Sequence, residues 1–188
     1  GKSVSLSTCE DGFDVASMCA RSKNIFILEV MGRHAGWIAA ASSLAAQHDG
    51  DAPHIILFPE IAFNREKFLR RVNRCVKKHG YCVIVASEGT QTADGKFLAD
   101  GGSKDAFGHI QLGGVAPVIA NMVKDALGYK YHWAVADYLQ RSARHIASKT
   151  DVDQAYALGK AAVDFAVAGD NAITVSYTHL TLPTTPYV

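Results

Sequence analysis

Glu29-Val30-Met31-Gly32-Arg33-His34-Ala35-Gly36-Trp37 follows an apolar run, Ile25 to Leu28, and leads into an alanine-rich stretch. An apolar run that stops at a glycine and gives way to a helix is a strand-to-helix turn. Glycine there lets the backbone come close to a ligand, and the start of the next helix offers unpaired N–H groups. Arg33 adds a forked cation suited to a phosphate or a sugar hydroxyl. The pattern alone predicts an anionic small molecule held at the end of a strand.

Working outward, the chain alternates between strand and helix signals. Residues 8–20 place Phe13, Val15, Ala16 and Met18 among polar residues, as a helix would. Residues 24–30 form a near-continuous apolar run, the mark of a strand buried on both faces. A helix is expected over 35–47, and a second buried strand over 54–58, closed by Pro59. Asn64 can cap a helix from Arg65 to Lys78 that ends at Gly80. Tyr81 to Ala86 (YCVIVA) is a third buried strand, followed by a polar, glycine-rich loop from Thr90 to Gly102. A helix over 115–127 ends at Gly128, a strand covers 131–137, and a last helix covers 152–168. Such alternation predicts an α/β fold, a mostly parallel sheet with helices on both faces. Ligands in sheets of this kind sit beyond the carboxyl ends of the strands.

Three of those ends carry chemistry. The first strand ends at Met31-Gly32-Arg33, the third at Ser87-Glu88-Gly89, and the fourth at Tyr138-Leu139-Gln140-Arg141. Topology alone therefore gathers Arg33, Glu88, Tyr138 and Arg141 on one edge of the sheet. Two arginines can hold a phosphate, a carboxylate can accept from sugar hydroxyls, and a tyrosine can donate. Taken singly, Glu88 also reads as a capping or surface carboxylate, Tyr138 as a core aromatic, and Arg141 as an exposed ion-pair partner. No glycine-rich cradle of the nucleotide-binding type occurs among these residues.

Composition narrows the function further. Hydrophobic content of 48% supplies a real core. A net charge of +1 gives no bulk field for nucleic acid or a membrane surface, so any anion site is local. No apolar run approaches the roughly 20 residues of a membrane-spanning helix. Cys9, Cys19, Cys75 and Cys82 form no CxxC pair and lie in apolar or helical contexts, which predicts buried thiols in a reducing, cytoplasmic setting. The eight histidines show no ligand spacing beside a carboxylate, so no metal site is expected from Cys and His.

From Ser7 to Ile173 the chain resembles the phosphofructokinase family, and its pyrophosphate-dependent branch more than its ATP-dependent one. EVMGRHAGWIAAASSLA from Glu29, VASEG from Val85, ADGKFLAD from Ala93, DAFGHIQLGGVAPVIA from Asp105 and DYLQRSARHIASKTD from Asp137 carry the likeness. The resemblance implies a Rossmann-like phosphofructokinase fold and transfer of a phosphoryl group to the 1-hydroxyl of fructose 6-phosphate, with Mg2+. It implies that Met31, Gly32 and Arg33 line the sugar phosphate and that Glu88 binds sugar hydroxyls. The family's Gly-His-x-Gln-Arg pattern falls on Asp137 to Arg141, with Tyr138 where histidine is usual and Arg141 as the phosphate arginine. The similar-looking run from Gly108 to Gly114 carries Leu112 at the arginine position, and His109 is left without a role. Two further family arginines, which reach in from a neighbouring subunit, fall on Asn24 and His132. Lys23 and Lys130 stand close to them in sequence. A homo-oligomer is implied.

The resemblance also divides the chain. Residues 1–141 are expected to be the sugar-phosphate-binding α/β domain, incomplete at its N-terminus. Residues 142–174 are expected to be a helical segment that returns to a donor domain and exposes apolar surface without it. Residues 175–188 begin VSYTHLTLPTT, one reading frame of a sequencing-library transposase adapter, and are read as an artefact outside the fold. The family's catalytic aspartate and donor-binding region would precede Gly1, so no catalytic residue is assigned and the chain alone is expected to be inactive. The donor is expected to be pyrophosphate. The competing readings are an ATP-dependent 6-phosphofructokinase and a non-catalytic, sugar-phosphate-binding regulatory subunit.

Overall fold

The structure is a computed structural model that describes residues 25–99, 114–142 and 144–176. The helix expected over 8–20, Asn24 and His109 lie outside the described residues. Residues 25–146 belong to one compact unit and residues 147–176 to a second.

Among the described residues of the first unit, four strands form one parallel sheet in the order β2-β3-β1-β4. They are β1 (Ile25–Val30), β2 (Ile55–Leu57), β3 (Cys82–Ser87) and β4 (Tyr131–Val135). Every residue of β1 and β3 is buried, which is why both read as unbroken apolar runs. β2 and β4 are the outer strands of the described sheet, and each is partly open. β2 is shorter than expected, and only Ile55 in it is fully buried.

Helices cover both faces. α1 (Trp37–Ala41) packs through Ala39 on the face formed by Phe26, Leu28, Val83 and Val85. α2 (Arg65–His79) and α3 (Val115–Leu127) pack on the other face, where Phe68, Val72, Ile119 and Val123 meet Ile25, Ile27 and Ile84. Each such side chain contributes about 1.5–3 kcal/mol by leaving water. α2 starts and stops as its sequence predicts. Asn64 Oδ1 accepts from Lys67 N at 2.9 Å, and Gly80 closes the helix with φ 84°. The helix expected over 35–47 is instead α1 followed by a 3₁₀ turn, Ser42–Ala45. Ser42 Oγ donates back to Ala39 O at 2.6 Å, a local bond that competes with regular helix.

α3 has no side-chain cap of its own. Its cap comes from the sheet. The buried Glu29 carboxylate on β1 accepts from Gly114 N at 3.0 Å and from Ala116 N at 2.8 Å. An anion at a helix start satisfies otherwise unpaired amides and suits the helix dipole. Burial pushes the Glu29 carboxyl above its usual range; the Ala116 and Gly114 amides hold it back, and the charge of Glu88 adds to the rise.

After β4 comes a tight turn at Asp137, with φ 42°, then a short helix α4 (Leu139–Ser142) that sequence reading did not foresee. In the second unit, α5 (Lys149–Ala168) begins three residues earlier than expected because Ser148 Oγ caps it, accepting from Asp151 N at 3.4 Å. α5 has no buried residue; Tyr156, Val163 and Val167 are all exposed.

Replacing Glu29 by Ala strands the Gly114 and Ala116 amides and should cost about 2–4 kcal/mol in urea unfolding. The pH dependence has a defined sign. The Glu29 carboxyl is raised in the fold, so the folded state holds its proton longer than the unfolded chain does. The wild type should therefore lose stability relative to Glu29→Gln as pH rises from about 4.3 through the folded value. A gap that moves the other way would contradict this assignment.

Candidate functional site

β1 lies between β3 and β4, so the carboxyl ends of these three strands are adjacent. The backbone bends sharply after β1. Gly32 has φ 136°, and a Cβ there would lie 2.6 Å from Ala35 O. Only glycine fits both demands. The turn is then tied to β3 in three places. Glu88 N donates to Val30 O at 2.9 Å, and Glu88 Oε1 accepts from Gly32 N at 3.0 Å. Ser87 Oγ donates to Gly32 O at 2.5 Å. Gly89 completes the contact: a Cβ at that position would sit 1.9 Å from Arg33 O, so the Arg33 backbone rests directly on it.

The tie to the third strand end runs through Gln140. This residue is buried, and its Oε1 accepts from Met31 N at 3.2 Å. Gln140 lies on α4, next to Arg141 and two residues after Tyr138. Tyr138 and Arg141 stack on each other, with the Arg141 guanidinium carbon 5.3 Å from the ring centre. Both are exposed, and they line an open cavity of about 470 Å³ with Asp137 and Ser142. Tyr138 is therefore not a core aromatic. Among the described residues neither Arg33 nor Arg141 has an acidic partner within ion-pair distance. Two guanidinium groups are thus available at the same edge of the sheet.

The fold brings together Met31, Gly32, Arg33 and Glu88 directly, and Tyr138 and Arg141 through Gln140. It does not bring His132 to them. His132 is exposed on β4 in register with Phe26, near the start of both strands, while the other residues lie past the opposite ends. Three residues without an assigned role turn out to hold the site. Ser87 and Gln140 secure the turn, and Glu29 secures the helix behind it. Glu29 had a visible signal: a lone charge inside an apolar strand. Gln140 stood in the quoted motif, yet nothing in its type marks it as buried.

The two carboxylates are used differently. Both oxygens of Glu29 are engaged by α3 amides. Glu88 is half-buried with Oε1 engaged, and no hydrogen bond to its Oε2 is found among the described residues. This does not fit magnesium, which asks for an octahedral set of oxygens. Among the described residues the cluster of potential metal ligands is His54, Cys75 and Cys82, a soft set. No described helix is long and apolar enough to cross a membrane.

Comparison with known proteins places these observations in a family. The family pattern described as phosphofructokinase matches residues 2–166. A protein of Halomonas elongata named pyrophosphate–fructose 6-phosphate 1-phosphotransferase is 65% identical over 171 residues, covering 91% of this chain and 41% of that protein. A protein of the same name from Methylococcus capsulatus is 60% identical, covering 92% of this chain and 41% of its own length. The crystal structure of a pyrophosphate-dependent phosphofructokinase from Marinobacter aquaeolei superposes with a TM-score of 0.65 at 61% identity, covering 90% of this chain and 38% of that one. The chain thus spans about two-fifths of the length of the curated relatives it matches.

The contact between Gly89 and Arg33 gives a direct test. Gly89→Ala forces the two backbones apart and should destabilise the chain by about 1–3 kcal/mol. The Gly32 and Arg33 amide resonances should shift most. Stability and spectra equal to wild type would show that the turn does not rest on Gly89.

Proposed function

Because this chain belongs to the phosphofructokinase family, we propose that its adjacent strand ends bind fructose 6-phosphate. The sugar is the acceptor in a transfer of phosphate from pyrophosphate to its 1-hydroxyl, giving fructose 1,6-bisphosphate. Support for the donor comes from relatives at 60% identity and above, which are named for pyrophosphate. Support for the acceptor comes from one observation above others. Past the ends of β1 and β4 stand two arginines that have no acidic partner among the described residues, on the same edge of the sheet as the Glu88 carboxylate at the end of β3.

In this reading each residue has a defined task. Arg33 and Arg141 neutralise the sugar phosphate, with charge-assisted bonds that are stronger than neutral ones. Met31 and Gly32 present a close-approaching backbone. The free oxygen of Glu88 accepts from sugar hydroxyls, and the Tyr138 hydroxyl donates from the stacked pair. His132 serves a neighbouring subunit of a homo-oligomer, as its separation from the other residues on the exposed strand suits. Residues 1–141 act as the sugar-phosphate-binding domain, and 142–174 as a segment that packs on a donor domain. The exposed apolar side chains of α5 support that last role. The enzyme is cytoplasmic and uses magnesium. The described residues do not supply that metal's ligands, and no step here runs through it.

Arg141→Ala should weaken fructose 6-phosphate binding by about 1.5–3 kcal/mol, the value of a hydrogen bond to a charged group. Titration calorimetry with fructose 6-phosphate and with unphosphorylated fructose measures it. The variant and the wild type should differ for the first ligand and not for the second. Equal affinity of both chains for fructose 6-phosphate would remove Arg141 from the site.

A further inference from the structure

At the other end of the sheet, far from the strand ends just described, the fold gathers a second group of reactive side chains. Cys75 stands near the end of α2, Cys82 opens β3, and His54 precedes β2. The two sulfur atoms and a ring nitrogen of His54 all lie within 4.8 Å of one another. Both cysteines are thiols. The expectation of buried thiols fits Cys82, which is fully buried, but Cys75 is only half-buried.

A soft metal ion is the first ligand such a group suggests, and the histidine argues against it. Val83 N donates to His54 Nδ1 at 3.1 Å. The hydrogen of the neutral ring is then on Nε2, and neither nitrogen keeps a lone pair for a metal. Nε2 is buried with no group at full hydrogen-bonding distance, so its hydrogen is offered to the nearby sulfur only as a longer, weaker contact. A ring held as a donor beside two sulfurs suits negative charge on sulfur instead.

We propose that Cys75 and Cys82 form a peroxide-reactive pair, in which Cys75 is the attacking thiolate and Cys82 the resolving thiol. Access assigns the roles. Cys75 lines a cavity of about 300 Å³ whose walls carry Arg71, Arg74 and Lys78 against Asp49 and Asp51, whereas Cys82 has no exposed surface. The environment of Cys75 agrees. Its thiol is pulled down to about 5, first by a hydrogen bond from Cys82, then against opposing burial by His54 and the nearby His79. When protonated, Cys75 donates to Tyr81 O at 3.4 Å.

The chemistry balances with a hydroperoxide as the two-electron oxidant. The Cys75 thiolate attacks the outer peroxide oxygen, the O–O bond breaks, and the departing alkoxide or hydroxide takes up a proton. Cys75 is then a sulfenic acid. Cys82 sulfur attacks the Cys75 sulfur, the S–S bond forms, and the S–O bond breaks. Hydroxide leaves with the Cys82 proton as water. Two thiols have become one disulfide, and the peroxide has become water and an alcohol, or two waters.

The test uses the whole chain with hydrogen peroxide near pH 6 and a chelator present, followed by alkylation and peptide mass analysis. A peptide pair joined through Cys75 and Cys82 should form about tenfold faster in the folded chain than in urea. At that pH the higher thiolate fraction outweighs the lower nucleophilicity of a low-pKa sulfur. Cys82→Ser should instead leave a sulfenic acid on Cys75 that dimedone traps. The proposal is overturned if the Cys75–Cys82 link forms no faster in the folded chain than in urea. It is equally overturned if Cys75 pairs with Cys9 or Cys19 instead. Retention of one zinc ion per chain by the untreated protein, released on alkylating Cys75 and Cys82, would overturn it in favour of a metal site.

Discussion

The Glu88 side chain, reaching across from β3 to the Gly32 amide, holds the rest of the site in place. A glycine in the left-handed region gives the chain freedom to turn, and that freedom must be removed before the turn can present anything. Glu88 removes it from one side and Ser87 from the other, by bonds to the N–H and the C=O of the same residue. Gly89 then accepts the Arg33 backbone at a distance no side chain would permit. The Arg33 backbone is placed by this sequence of contacts, and among the described residues its side chain has no acidic partner.

Behind the turn stands a second acid with a different occupation. Glu29 is buried and Glu88 half-buried, and the charge of Glu88 adds to the cost of ionising Glu29. The conflict is tolerable because Glu29 spends both oxygens on the start of α3, where the amides carry partial positive charge. Glu88 spends one and keeps one. In the proposed reading, Arg33 and Arg141 complete the local balance when a phosphate arrives. An overall charge near zero thus coexists with a site built for an anion.

The central strands were legible because burial on both faces leaves no room for polar residues, as in Ile25 to Leu28 and Cys82 to Ala86. α2 was legible to the residue at its cap because Asn64 and Gly80 act locally. The short α1, the shortened β2 and the unforeseen α4 were not legible. Each depends on a competing bond or an edge position that periodicity does not register. In the site, glycines, arginines and the Glu88 carboxylate announced themselves by type at strand ends. Gln140 and Ser87 did not, because their roles exist only once residues distant in the chain meet. The Cys75, Cys82 and His54 group is the same case: sequence spacing hides it, and the packing of α2 against β3 creates it.

The account's central claim is that three adjacent strand ends receive one phosphorylated sugar. Amide shift mapping with fructose 6-phosphate tests it most directly, because it reports position without requiring catalysis. The account predicts that the largest shifts fall on Gly32, Arg33, Glu88 and Arg141 and fade toward the starts of the strands. Shifts centred on the strand starts around Phe26 and His132, with those four amides unmoved, would contradict it.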